Sequence, residues 1–175
     1  MAQTTSSVGQ NARPRTNVNK ALLLVRVVLG ALFVGHACQK LFAWFGGQGI
    51  GGFVDTLEKL GIQPAPFWAY FEATTELVCG ILLILGLLTP LAAAALIADM
   101  VVATFTVHWE KGLWSQAGGF EYNLVLAAVL FAVGLVGPGI YSLDNRLPFA
   151  LPKPATFLVA VLAAVAFVVL FVIGL

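Results

Sequence analysis

The feature that most constrains this chain is the recurrence of long apolar runs. Five segments, at about 21–45, 67–88, 91–109, 120–136 and 155–175, approach the roughly 20 residues that a helix needs to cross a bilayer. A segment in lipid must satisfy its own backbone polar groups, so such runs fold as helices. Composition agrees: hydrophobic residues make up 60% of the chain and charged residues 10%, with a mean hydropathy of +0.96. Soluble domains carry about 25% charged residues. A net charge of +1 offers no basic surface for a nucleic acid. The expected architecture is an all-α integral membrane protein. It comprises a four-helix transmembrane bundle, a fifth C-terminal transmembrane helix and a short outer interfacial helix.

Residues 1–20 are polar and rich in Ser, Thr and Asn, and read as a disordered cytoplasmic tail. The apolar run after them is too long for a signal-peptide core and lacks a small-x-small cleavage site. It reads as an uncleaved span. Residues 21–146 then form the four-helix domain. Residues 147–154 form a linker stiffened by Pro148, Pro152 and Pro154, and 155–175 the additional span. In the last segment Ala160 and Ala164 form a small-xxx-small pair, a pattern also common in any Ala-rich helix.

After the first span, Ile50, Phe53, Val54, Leu57 and Leu60 recur at helical spacing. Gly61, Pro64 and Pro66 end the pattern. This is the expected interfacial helix. "GGQGIGG" follows a membrane helix rather than a strand, so it lacks the context of a dinucleotide loop. Arg13, Arg15 and Lys20 precede the first span, and Arg146 and Lys153 lie between the fourth and fifth. The opposite loops hold Lys59 and Lys111. Lys and Arg gather on the cytoplasmic side, which places the N-terminus inside and the C-terminus outside.

Ionisable side chains inside spans cost about 2.5–3.5 kcal/mol each, so they face partners or a functional interior. The first span carries Arg26, His36 and Lys40; the second carries Glu72 and Glu76; the third carries Asp99 and His108; Glu121 opens the fourth. The first two spans run antiparallel. Counted from their outer ends at 1.5 Å per residue, Lys40 and Glu72 lie roughly 7 Å deep, and His36 and Glu76 roughly 13 Å deep. Two rungs are expected: Lys40 with Glu72, and His36 with Glu76. Asp99 lies roughly 15 Å deep by the same rise. Arg26, entering from the other side, is its expected structural ion-pair partner. Asp99 and His108 are nine residues apart, on nearly opposite faces of a regular helix, and need a kink to share one site.

On the outer side, Glu72, Glu76 and Glu121 face Lys40 as the one obligate cation. Either a histidine carries a proton or a carboxyl holds one, which suits proton exchange. His36, Lys40, Glu72, Glu76, His108 and Glu121 are the catalytic candidates. Substrate-binding candidates are His36, Lys40, Glu76, Trp44 and Trp109. Buried ion pairs that merely tie helices together are the competing reading. Cys38 and Cys79 differ in depth, so they read as buried thiols rather than a disulfide. No zinc-ligand spacing occurs, and no metal is expected.

The ordered pieces "HACQKLFAWFGGQG", "ELVCGILLILGLLTPLAAAAL", "VHWEKGLW", "GGFEYNLVL" and "GPGIYSLD" resemble the DoxX family of small bacterial membrane proteins. They run from about Leu22 to Asp144. The family commonly has His-Gly where this chain has His36-Ala37. The resemblance implies a four-helix membrane core in the bacterial cytoplasmic membrane, with the fifth span beyond it. Relatives include the membrane subunit of a thiosulfate:quinone oxidoreductase and mycobacterial proteins linked to oxidative-stress defence. That implies redox work near the quinone pool. By position, His36, Lys40, Glu76, His108 and Glu121 match the family's polar landmarks.

Three functions compete. The first is a redox-associated subunit that binds a quinone, with His36 or Lys40 donating to a carbonyl oxygen and a glutamate relaying a proton. No haem, flavin or iron–sulfur motif is present, so no intrinsic cofactor is expected, and electrons come from a soluble or membrane redox partner. The second is a non-catalytic scaffold or assembly factor. The third is a small-molecule transporter, ranked last because no inverted repeat of broken helices is visible. Beyond the bilayer, a homo-oligomer is a further candidate partner.

Overall fold

The computed structural model describes residues 12–147, 155–168 and 170. Among them the regular elements are all helical: α1 (Ala12–Phe42), α2 (Gly49–Lys59), α3 (Ala65–Leu85), α4 (Thr89–Ala103), α5 (Glu121–Val136) and α6 (Ala155–Val168), with short 3-10 and π turns between them. Three stretches are long and apolar enough to cross a membrane: Thr16–Phe42, Ala65–Leu85 and Thr89–Lys111. Glu121–Val136 and Phe157–Val168 are apolar but shorter. The described residues therefore contain three candidate spans and two shorter apolar helices where the sequence suggested five spans.

The start of the chain departs from expectation. α1 begins at Ala12, so residues 12–20, expected to be disordered, are helical. Pro14 falls in the first turn, where proline is tolerated, and no glycine interrupts the residues that follow. Residues 1–11, all of the expected 147–154 linker but its first residue, residue 169 and residues 171–175 lie outside the described residues.

α1 and α3 cross where Gly30 meets Gly80. A Cβ on Gly80 would stand 2.9 Å from the Gly30 carbonyl oxygen, so only glycine lets the two backbones approach this closely. On α3, Ala65, Ala69, Ala73 and Gly80 are buried on one face. Close packing of small residues is how helices associate where lipid removes the hydrophobic drive. α4 lies at the middle of the bundle, with Ala92, Ala93, Ala94 and Leu96 at 2% exposure or less. α5 and α6 pack against it. Phe157 of α6 is fully buried and lies over Gly134 of α5, where any Cβ would run into its ring. Ala160 joins this core, so the small-xxx-small pair faces its own bundle.

After α1, Ala43 adopts φ 58 and turns the chain back, so that α2 lies against α1 and α3. α2 buries Leu57 beside Ile62, Ala65 and Ala69, with Phe53 and Val54 partly covered. The amphipathic helix read from the 50–60 spacing is therefore present.

The end of the bundle away from Lys40 is tied by one side chain. Arg26 is fully buried. Its Nε donates to Leu83 O at 3.1 Å, and Nη2 to Tyr141 O at 2.9 Å and Ile84 O at 3.3 Å, while Nη1 donates to Pro138 O. These carbonyls belong to the C-terminal turn of α3 and to the loop after α5. That loop also sends Asp144 to cap α4: its carboxylate accepts from the backbone N–H groups of Leu88 at 2.7 Å and Thr89 at 2.9 Å. The motif "GPGIYSLD" is thus a docking loop.

Candidate functional site: an acidic cluster on an apolar cavity

α1 and α3 run side by side beyond the glycine crossing, and Lys40 of α1 meets the α3 side chains one and two turns from Gly80. The Lys40 ammonium pairs with Glu72 and, at 2.8 Å, with Glu76. It also lies 5.1 Å from the centroid of the Phe53 ring on α2. The expected Lys40–Glu72 rung is therefore formed. The second rung differs, because Glu76 takes Lys40 rather than His36. A flexible four-carbon stem lets one ammonium serve carboxylates a helical turn apart. His36 instead turns along its own helix, with Nδ1 3.1 Å from Gln39 Oε1.

Asp99 completes the cluster from α4. One carboxylate oxygen from each of Glu72, Glu76 and Asp99 lies within 4.8 Å of the others. The expected Arg26–Asp99 pair is not formed. Arg26 spends its donors on backbone carbonyls, and Asp99 faces the glutamates. The depth count carries the signal, since the helical rise puts Asp99 and Glu76 within about 2 Å of the same level. Three carboxyl groups face one ammonium, so the cluster sums to −2 when all four are ionised. Three oxygens this close could ligate a cation, and here Lys40 supplies the positive charge. Glu72 Oε2 and Asp99 Oδ2 are buried without a hydrogen-bond partner among the described residues.

The cluster forms one wall of a cavity of about 460 Å³. Every helix contributes to it, including Phe53 and Leu57 of α2, Trp68 and Phe71 of α3, Met100 of α4, Tyr122 and Asn123 of α5, and Phe167 of α6. The Phe167 ring sits 6.0 Å from Trp68 and 6.4 Å from Phe71, closing the α6 side. The result is a mainly apolar chamber with polar groups concentrated at one place, the usual form of a small-molecule site.

His108 reaches this chamber because α4 does not stay regular. A π-helical turn spans Thr104–His108. Its wider winding shifts the register, so Asp99 and His108 line one cavity despite their nine-residue separation. This is the distortion the sequence argument required. His108 Nδ1 is 2.6 Å from Gly118 O, so the ring also holds the loop before α5.

Five sequence candidates, His36, Lys40, Glu72, Glu76 and His108, therefore line one chamber. Three do not. Glu121 is exposed and accepts from Ser115 N at 3.1 Å and Ser115 Oγ at 2.8 Å, bracing its own loop. Trp109 stacks between Phe105 and Phe120, and Trp44 is 57% exposed beside Phe42. Asn123 is a wall residue that the sequence argument missed. It is buried, and its Nδ2 lies 3.4 Å from Thr104 Oγ1. A lone polar residue in an apolar run was its one signal. Cys38 and Cys79 are both free and buried.

Comparison with known proteins places these features in a family. The DoxX family model matches residues 21–109, which include most of α1, all of α2, α3 and α4, and the π turn up to Trp109. An uncharacterized membrane protein of Mycobacterium tuberculosis is 33% identical over 137 residues, covering 73% of this chain and 81% of the relative. A Bacillus subtilis protein, CatD, provisionally named an oxidoreductase, is 30% identical over 122 residues, covering 70% of this chain and 83% of the relative. No solved structure matches the chain significantly.

Proposed function

The chain belongs to the DoxX family of membrane proteins, and on that premise we propose that it is a redox-associated membrane subunit whose chamber binds a molecule of the quinone class. The observation that carries the reading is the juxtaposition of the Lys40–Glu72–Glu76–Asp99 cluster with an apolar cavity. A quinone has an apolar ring and tail to bury and two oxygens that exchange protons when it is reduced or reoxidised. The cavity wall supplies the apolar part of that match. The clustered carboxyls and the two histidines supply proton-exchanging groups at one spot. The provisional naming of the Bacillus relative as an oxidoreductase points the same way. Electrons would come from a soluble or membrane redox partner.

In this reading the protein sits in a bacterial cytoplasmic membrane with its N-terminus inside. α5 and α6 complete the crossing as the fourth and fifth spans, and α2 lies on the outer interface. Reporter fusions after residues 59 and 111 should both report the outer side.

The functional test is ligand retention. Protein purified in mild detergent should carry a quinone-class molecule detectable by mass spectrometry. His36→Ala and Glu72→Gln variants that remain folded should retain much less. Wild-type protein that carries none, and binds none when it is added, would remove this reading. The scaffold alternative has one observation in its favour, since both glutamates are spent on Lys40. It expects the same variants to lose stability with no ligand to lose.

A further inference from the structure

His36 and His108 both line the chamber, and each ring is held through one nitrogen. His108 Nδ1 lies 2.6 Å from Gly118 O. A backbone carbonyl can only accept, so this Nδ1 carries the hydrogen. His36 Nδ1 lies 3.1 Å from Gln39 Oε1. A side-chain amide can offer either its oxygen or its NH2 group, so the state of His36 depends on which way Gln39 faces.

The turn after α1 decides that. Ala43 at φ 58 and Phe45 at φ 50 are left-handed, and they fold the Trp44–Gly46 turn back along the end of α1. Such backbone is costly for residues with a side chain, and it gathers at functional sites. Gly47 then lies directly on Gln39, where a Cβ would stand 2.3 Å from the Gln39 carbonyl oxygen. The turn brings Phe45 O to 3.3 Å from Gln39 Nε2. That carbonyl also can only accept, so the amide gives its NH2 group to the turn and its oxygen to His36. Neutral His36 therefore carries its hydrogen on Nδ1 and leaves Nε2 bare. Neither histidine has a partner for Nε2 among the described residues.

We propose that Gln39 is a positioning residue for His36: it fixes the ring in the Nδ1–H form, so that Nε2 is presented to the chamber as a proton acceptor. Gln39 does not itself line the chamber, so it acts through the ring. When Nε2 takes a proton from an O–H or N–H group of a guest, the bond from Nδ1–H to Gln39 is kept and the ring need not turn. A neutral amide orients the ring without adding a further negative charge beside three carboxyl groups.

This inference rests on the chamber holding a guest, as proposed above, but its test is read on the ring alone. Loss of the ligand reading would leave the ring assignment standing, and the reverse holds too. Full-length protein in detergent is prepared with nitrogen-labelled histidine and followed by NMR. The chain has two histidines, so two ring systems are seen, and His108→Asn assigns them. At alkaline pH the wild-type His36 ring should show a protonated Nδ1 and a bare Nε2. Gln39→Leu removes the acceptor, so the Nε2–H form should become the major one while the His108 signals stay in place. Gln39→Glu keeps an acceptor oxygen and should keep the Nδ1–H form, with its proton moved further downfield because a charged acceptor bonds more strongly. A wild-type His36 protonated on Nε2, or a folded Gln39→Leu protein that keeps the Nδ1–H form, overturns the proposal. Should Gln39→Leu fail to fold, the wild type and Gln39→Glu decide it, and a Gln39→Glu ring protonated on Nε2 overturns it as well.

Discussion

The Lys40 ammonium stands 2.8 Å from the Glu76 carboxylate, whose side chain is 3% exposed, and the same ammonium holds Glu72. One cation thus neutralises part of a three-carboxyl cluster. Lys40→Met should cost about 3–5 kcal/mol, because removing one partner of a buried pair leaves uncompensated charge. Thermal unfolding in detergent would show it. Adding Glu72→Gln and Glu76→Gln to Lys40→Met should recover much of the loss. A Lys40→Met protein that melts with the wild type would contradict the account.

Arg26 serves carbonyls of residues 83, 84, 138 and 141 with one planar guanidinium. A lysine has a single ammonium and cannot span that set. Arg26→Lys should therefore destabilise by about 3 kcal/mol or more, on the order of two lost charge-assisted hydrogen bonds. A thermal midpoint within a degree or two of wild type would sink the prediction.

The helix crossing predicts a contrast between glycines. Gly80→Ala drives a Cβ to 2.9 Å from the Gly30 carbonyl and should cost about 1–3 kcal/mol by overpacking. Gly35→Ala meets nothing within 4 Å and should be neutral or stabilise by up to about 1 kcal/mol through helix propensity. Chemical denaturation of the two variants side by side checks the sign of each.

Asp144 caps the N-terminus of α4 from a distant loop. Asp144→Ala should lose about 1 kcal/mol, and Asp144→Asn less, since an amide oxygen also accepts at a cap. Equal losses for both would argue that charge, not the hydrogen bonds, is what matters there.

Glu121 offers a control for the chamber. It is exposed and bound to Ser115, away from the cavity. Glu121→Ala should leave ligand affinity unchanged within error while Glu72→Gln lowers it. A loss of binding on Glu121→Ala would mean that the loop before α5 reaches the ligand.

Much of this arrangement was legible in the sequence. Depth counting put Lys40 level with Glu72, because helical rise is fixed and α1 and α3 are antiparallel neighbours. It could not say which cation takes Glu76. That depends on stem length and rotamer, and Lys40 outreaches the His36 ring. Residue types alone pair Asp99 with Arg26, since a buried charge is expected to need a charge. Backbone carbonyls at the end of a helix satisfy a guanidinium equally well, and they leave no trace in residue types. The π turn was visible only as a contradiction, since Asp99 and His108 could not share a face of a regular helix. Glu121 and Trp109 are candidates by residue type alone, at the two ends of a loop. Their roles depend on how that loop folds on itself.

The Arg26 clamp has a mechanical consequence. It makes one end of the bundle a stiff root, where α1, the end of α3 and the loop after α5 move as a unit. At the opposite end one flexible side chain, Lys40, links α1 to α3, with α2 packed across both. A side-chain ion pair exchanges partners more readily than a guanidinium spread over four carbonyls, so of the two ties this is the one that can open. The pace at which a guest enters or leaves would then follow how often Lys40 lets go of a carboxylate.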